Sequence, residues 1–202
     1  MGPKVALVVG AGSPLGQQLA RGLANASLRV ALNDLLPNHI ETLALELNAA
    51  GGQAAAYPAD LSRKLGLQTM LQGLLELWEQ IDVLVFIPRV QPATSLLDLD
   101  EWDWHRALDL DLTAAFLCMQ SVGRIMRQLG SGTIINVLPA SQAVSPVYAA
   151  AAAALAALSK ESAAEFVPHN VRVHALSAEH ADTQNILKLC LQDRSPVSSL
   201  EC

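Results

Sequence analysis

The stretch Lys4-Val-Ala-Leu-Val-Val-Gly-Ala-Gly-Ser-Pro-Leu-Gly16 constrains this chain more than any other. Val5 to Val9 are apolar at every position, as a strand buried on both faces requires. Gly10, Gly12 and Gly16 crowd the turn that follows, and an amphipathic run extends from Leu15 to Asn25. Ser13 before Pro14 is a coherent helix start: serine is a favoured N-cap, and the fixed φ of proline suits the first helical position. Strand, tight turn and helix in this order place backbone N–H groups at the positive end of a helix, where a phosphate can approach. The segment therefore predicts a βα unit that cradles a dinucleotide pyrophosphate, with Gly10, Gly12, Ser13, Leu15 and Gly16 as candidate contacts.

The same alternation continues along the chain. Short apolar runs predict strands over Val5–Val9, Arg29–Asn33, Gln53–Tyr57, Asp82–Ile87, Thr133–Leu138 and Val171–Leu176. Helical patterns fall over Pro14–Asn25, Asn38–Ala50, Arg63–Gln80, a long stretch within Glu101–Leu129, another within Ser145–Phe166, and Thr183–Gln192. Strands that alternate with helices demand right-handed crossovers and a parallel sheet covered on both faces. The expected fold class is α/β, a three-layer doubly wound parallel sheet of about six strands. No linker or internal repeat divides residues 1–202, so a single domain is expected.

Composition narrows the function. Hydrophobic residues make up 51% of the chain but aromatic ones only 4%, so the core is built from Ala, Leu, Val and Ile. A formal net charge of −6 with no basic run argues against nucleic acid or an anionic membrane surface as partner. The longest apolar stretch, Pro146 to Leu158, falls short of the ~20 residues of a membrane span. A soluble, cytoplasmic protein is expected. Cys118, Cys190 and Cys202 are odd in number and unpatterned, which fits reduced thiols, with Cys118 as core packing. His39, His105, His169, His174 and His180 have no metal-ligand spacing, so no metal site is expected. Asp98, Asp100, Glu101 and Asp103 gather where a helix begins and complement its dipole, while Trp102 and Trp104 read as packing residues. The Ala149–Ala154 run allows close helix approach, either within the subunit or across a dimer interface.

Further candidates follow from the predicted strand ends. Asp34 closes the second strand, where a carboxylate accepts the hydroxyl donors of an adenosine ribose and repels the additional phosphate of NADP. The glycine turn carries no Arg or Lys to receive that phosphate, so NAD is the favoured cofactor. Asp60, with Leu61 beside it, is an adenine-edge acceptor, a helix-start residue, or both.

These motifs together resemble the short-chain dehydrogenase/reductase family over nearly the whole chain. The resemblance rests on the Gly10…Gly16 turn, Asp34, Asp60-Leu61, Asp82-Val-Leu-Val85, Trp104…Asp111-Leu112-Thr113, Thr133-Ile-Ile-Asn-Val137, Tyr148 and Val171-Arg-Val173. It implies a Rossmann-type sheet, a nicotinamide cofactor, a small-molecule substrate, and homodimers or homotetramers built through two long helices, here Glu101–Leu129 and Ser145–Phe166.

The chain departs from the family where the reaction takes place. Pro14 replaces the middle glycine of the loop and removes one N–H, leaving the amides of Leu15 and Gly16. Phe86-Ile87-Pro88-Arg89 stands in place of Asn-Asn-Ala-Gly, and its bulk crowds the adenine-side ribose. The family aligns Tyr-x-x-x-Lys on one helix face; here Tyr148 is followed by Ala152, and Lys160 lies three turns on. Leu138-Pro139 replaces the family's serines, with Ser141 and Ser145 nearby, and Asp111 stands for the helix asparagine. Ala178-Glu179 replaces Pro-Gly, and neither the family's last strand nor its substrate-covering helices are expected. Tyr148, Asp111 and Ser141 remain the catalytic candidates. The expectation is an NAD(H)-binding protein with weak or no oxidoreductase activity. The alternatives are a working NAD-dependent oxidoreductase with non-standard partners for Tyr148, or a non-enzymatic oligomerisation partner of an active relative.

Overall fold

The computed structural model describes residues 2–88, 94–138 and 145–191. Its strands are β1 (Val5–Val9), β2 (Arg29–Asp34), β3 (Gln53–Pro58), β4 (Val83–Phe86), β5 (Gly132–Leu138) and β6 (Val171–Ser177). They form one parallel sheet in the order β3-β2-β1-β4-β5-β6. The helices are α1 (Pro14–Asn25), α2 (Pro37–Ala49), α3 (Lys64–Trp78), α4 (Glu101–Leu108), α5 (Ala114–Leu129), α6 (Pro146–Phe166) and α7 (Thr183–Leu191). The doubly wound fold expected from the alternating pattern is present, with boundaries shifted by a residue or two.

Two-sided burial explains the apolar strands. On one face Leu7, Leu84, Phe86, Ile134 and Val173 pack against α3, α5 and α6. On the other, Val8, Leu32, Val85 and Ile135 pack against α1, α2 and α7. Successive strand residues point to opposite faces, so both sets must be apolar. Cys118 and Cys190 are free and buried in these layers, and burial pushes both thiols up to about 12, far from reactive.

Two features differ from the sequence expectation. The long helix over 101–129 is interrupted by a π-helical turn, Asp109–Thr113, that joins α4 to α5. An i→i+5 turn inserts one extra residue and rotates the buried face. Ala107 is buried before it, Asp111 within it, and Ala114 and Ala115 after it. Trp102 is the second correction: it is 70% exposed rather than packed. It lies five positions before Ala107, the buried residue of α4, and so points away from the core. Asp100 caps α4 by accepting from Asp103 N–H at 2.7 Å, and Glu101 and Asp103 occupy the first turn.

On α6, Ala151 and Leu155 face the core while Ala149, Ala150, Ala153 and Ala157 are exposed. After β6, residues 178–182 turn the chain into α7. A Cβ on Gly22 of α1 would sit 2.7 Å from Thr183 Oγ1, so glycine there admits the start of α7. At the other end, Lys4 Nζ donates to Cys190 O at 2.9 Å. Because Lys4 precedes β1, α7 runs from the carboxyl edge of the sheet back towards its amino edge. Among the described residues, no helix is long and apolar enough to cross a membrane.

Candidate functional site

The turn after β1 is held by its own backbone. Gly10, at φ 79°, adopts a conformation that L side chains disfavour. Gly10 and Ala11 N–H both donate to Asn33 O at 3.0 Å, which closes the loop against the end of β2. Gly12 N–H donates to Asp34 Oδ2 at 2.9 Å, and a Cβ on Gly12 would lie 2.6 Å from that oxygen. A Cβ on Gly16 would meet Ala11 Cα at 2.7 Å, as well as Gly10 O, so α1 can abut β1 only through glycine.

Ser13 caps α1 as its sequence position predicts. Its Oγ accepts from Gly16 N–H at 3.0 Å and donates to Gly10 O at 2.8 Å. This corrects the expectation that the Leu15 and Gly16 amides both stay open to a phosphate: the Gly16 amide is taken by the cap. Pro14 has no N–H, so the Leu15 amide is the remaining donor of this first turn, with no hydrogen-bond partner among the described residues.

Asp34 is 1% exposed at the end of β2. Its Oδ2 accepts from Gly12 and its Oδ1 from Leu36 N–H at 3.0 Å, so backbone amides orient a buried carboxylate. Beside it, Asn33 Nδ2 donates to Tyr57 O at 2.8 Å and to Ala59 O at 3.1 Å, clamping the ends of β2 and β3 together. Asn33 was missed by sequence reasoning. Its signal was available, a side-chain amide at a strand end where neighbouring carbonyls leave the ladder.

A crevice opens above these strand ends. Its walls are Val9, Gly10, Asn33, Asp34, Leu35, Ala59, Leu61, Phe86, Ile87, Leu110 and Ala114. The centre of a water molecule can occupy about 30 Å³ of it, and the empty space reaches about 350 Å³ with the open mouth included. Phe86 and Ile87, 1% and 6% exposed, narrow it from the β4 side as their bulk predicts. The slot offers apolar walls and a buried carboxylate, and the turn beside it leaves the helix-terminal amide of Leu15 open to an anion.

Asp60 stands near the rim of this region. Its Oδ1 accepts from the Ser62 hydroxyl and amide at 2.6 and 3.0 Å, and its Oδ2 pairs with Arg106 Nη1 of α4 at 3.2 Å. Burial pushes this carboxyl upward, but the Ser62 donors and the Arg106 guanidinium outweigh it and hold Asp60 below the usual aspartate range. A second ion pair, Arg63 with Asp109 at 3.8 Å, joins the same loop to the π-helical turn.

The catalytic candidates lie on the other side. Tyr148 is 5% exposed near the start of α6, and Asp111 is 1% exposed in the π-helical turn, which packs against α6. Ala152, one turn beyond Tyr148, supplies neither charge nor hydrogen bond, and Lys160 is exposed further along the helix. Leu138 ends β5 with no hydroxyl. Ser141 lies outside the described residues. Ser145 is 2% exposed, and its Oγ has no partner among the described residues. Asn136 on β5 donates through Nδ2 to Ser159 Oγ at 2.9 Å and contacts Met119 Sδ, so it serves the core. The structure thus brings Gly10, Asp34 and Leu61 to one crevice, with Gly12, Ser13, Leu15 and Gly16 in the turn beside it; Tyr148, Asp111 and Ser145 do not line it. His174 and His180 do not line it either. Among the described residues, no three His, Cys, Asp or Glu side chains are grouped to hold a metal ion.

Residues 4–190 match a family model described as short chain dehydrogenase. The chain is 30% identical over 201 residues to the cis-4-hydroxycyclohexanecarboxylate dehydrogenase of Sinomonas cyclohexanicum, covering 97% of this chain and 80% of that protein. An NAD⁺-bound xylitol dehydrogenase superposes with a TM-score of 0.82 at 26% identity, over 87% of this chain and 70% of that one. A metagenomic short-chain oxidoreductase in complex with NADP shares the fold at a TM-score of 0.88 and 24% identity, over 96% of this chain and 93% of that one.

Proposed function

The chain belongs to the short-chain dehydrogenase/reductase family, and from that premise we propose that it binds NAD(H) but carries out weak or no hydride transfer. The observation that carries this reading is the pair of apolar side chains at the reacting end. Ala152 stands one turn from Tyr148, where the family keeps a lysine, and Leu138 stands where it keeps a serine. Without a lysine one turn on to lower it, a tyrosine pKa of about 10 leaves the side chain almost wholly protonated at neutral pH and a poor base. Losing a positioned acid–base group lowers a rate by roughly 10²–10⁴, and losing a donor to the developing oxyanion lowers it by a similar factor.

Gly10, Gly12, Ser13, Leu15, Gly16, Asp34, Asp60 and Leu61 form the cofactor side in this reading. Bound there, the nicotinamide cofactor supplies or accepts hydride. Leu15 N–H meets its phosphate, Asp34 orients an adenosine ribose, and Leu61 packs on the base. Asp34 also favours NAD over NADP, since a buried carboxylate repels a phosphate on the ribose. The substrate class is a small carbonyl or alcohol compound, and the compartment is the cytoplasm. Homodimers or homotetramers form through α5 and α6, whose outer faces carry Phe116 and the exposed alanines.

A second reading has one observation in its favour. The buried Ser145 hydroxyl, three positions before Tyr148, has no partner among the described residues, and with Asp111 it offers a non-standard polar set for a working oxidoreductase. A turnover screen with carbonyl and alcohol substrates separates the two. The expected result is negligible turnover by the unaltered protein and a measurable gain in Ala152→Lys. Measurable activity that Tyr148→Phe abolishes overturns the leading reading.

A further inference from the structure

We infer that Arg106 of α4 is a positioning residue for the nucleotide: its ion pair with Asp60 sets the spacing between two walls of the crevice, so removing its charge weakens binding. The inference rests on the NAD-binding reading and deepens it.

The walls of the crevice are held in two ways. Val9, Asn33, Asp34 and Phe86 belong to strands, where the sheet ladder fixes the backbone. Ala59 and Leu61 belong instead to the segment between β3 and α3, while Leu110 lies in the π-helical turn and Ala114 at the start of α5. One of these pieces is a loop and the other is helical, so side chains rather than a shared ladder set the spacing between them.

Two ion pairs cross from the loop to the helix. Asp60, next to Leu61, pairs through Oδ2 with Arg106 Nη1 at 3.2 Å, and Arg106 lies one turn before Leu110. Arg63, just beyond Leu61, pairs with Asp109 at 3.8 Å, and Asp109 is the neighbour of Leu110. The pairs therefore bracket Leu61 on one piece and Leu110 on the other. The Asp60 carboxylate is an anchored partner. Ser62 donates its amide and its hydroxyl to Oδ1 at 3.0 and 2.6 Å, which closes a tight turn at Leu61. Asn33 Nδ2 donates to Ala59 O at 3.1 Å and ties the same loop to β2. A guanidinium bound to a carboxylate held in this way fixes the helix that carries it. Burial pushes the Asp60 carboxyl up, but the Ser62 donors and Arg106 hold it below the usual aspartate range, so the pair is charged at neutral pH.

Arg106 does not itself line the crevice, so it acts through Asp60 and Leu61. A second pair on the molecule gives the comparison. Arg21 and Glu46 join α1 to α2 at 2.7 Å, and neither lines the crevice. Their side chains are 44% and 53% exposed, against 30% and 29% for Arg106 and Asp60, so water screens the crevice pair less.

Fluorescence titration of the 202-residue protein with NADH tests this, with uncharged adenosine as a competitor. Arg106→Met keeps the apolar stem and loses the charge. It is expected to weaken NADH about fivefold, which corresponds to about 1 kcal/mol, and to weaken adenosine by the same factor. Arg106→Lys is expected to recover affinity to within about twofold of the unaltered protein, and Arg21→Met to leave it unchanged. A loss for NADH that adenosine does not share overturns the inference, because Arg106 then attracts the phosphates directly. A lysine variant as weak as the methionine one overturns it too, and so does an Arg106→Met constant within about twofold of the unaltered protein; each leaves NAD binding intact. Absence of NADH binding by the unaltered protein overturns both this inference and the proposed function.

Discussion

The two halves of the sheet share one architecture and differ in what their strand ends do. At the ends of β1 and β2, hydrogen bonds converge: Asn33 O accepts from two amides, Asp34 accepts from two more, and Asn33 Nδ2 donates to two carbonyls. On the β5 and β6 side some buried polar groups are unsatisfied. Among the described residues, Asn136 Oδ1, Ser145 Oγ and His174 Nε2 are buried without partners. A buried, fully bonded network is rigid and specific, whereas buried groups without partners carry a desolvation cost. The comparison teaches that one sheet can hold its two halves by different means, the β1-β2 ends by a converging hydrogen-bond network and the β5-β6 side mainly by packing.

The sharpest way to break the comparison is Gly16→Val. The new Cβ runs into the Gly10 and Ala11 backbone, which no rotamer change relieves. The expected loss is about 3 kcal/mol, the upper end for overpacking, and roughly 6–12 °C in Tm by thermal melting. A melt unchanged within error would mean that the first half is not held as tightly as its contacts imply.

A smaller effect is expected on the other side. Gly22→Ala drives a methyl group into Thr183 and loosens α7, at a cost of about 1–2 kcal/mol. Thr183→Ala removes the obstacle, so the double variant should be more stable than the sum of the single changes predicts. Strict additivity in denaturant melts would show that α7 is not anchored there.

The smallest effect lies in how the halves respond to acid. His174 is held below its ordinary value by burial and by neighbouring Arg172, and Asp60 is held below its own by Ser62 and Arg106 against the opposing push of burial. Both folded-state values are lowered, so both groups stabilise the fold above the unfolded-state pKa and lose that contribution as pH falls. The windows differ: His174 acts below about pH 6.5 and Asp60 below about pH 3.9. His174→Gln should flatten the stability profile between neutrality and pH 5, and Asp60→Asn only under stronger acid. A His174→Gln profile parallel to that of the unaltered protein would remove the histidine from the account.

Much of this was legible in the sequence because it is local. Five apolar residues, a glycine turn and Ser13-Pro14 specify a strand, a bend and a capped helix through contacts a few residues apart. Asp34 was legible because strand length places it at the edge of the sheet. The π-helical turn was not, because an i→i+5 turn has no residue signature of its own, and Asp109–Thr113 reads only as part of a longer helix that packs against α6. Trp102 was misread because a helix too short for a clear periodicity does not disclose its inward face.

The sequence by itself determined the parallel sheet, the helix that opens at Ser13, and the apolar side chains where this family keeps its acid–base groups, since periodicity and residue identity suffice for these. Only the tertiary structure decided that Ser13 occupies the Gly16 amide, that Asn33 ties two strand ends together, and that α7 lies along the sheet instead of above it. Those outcomes depend on which distant groups meet, and a contact between Lys4 and Cys190 leaves no trace in local pattern.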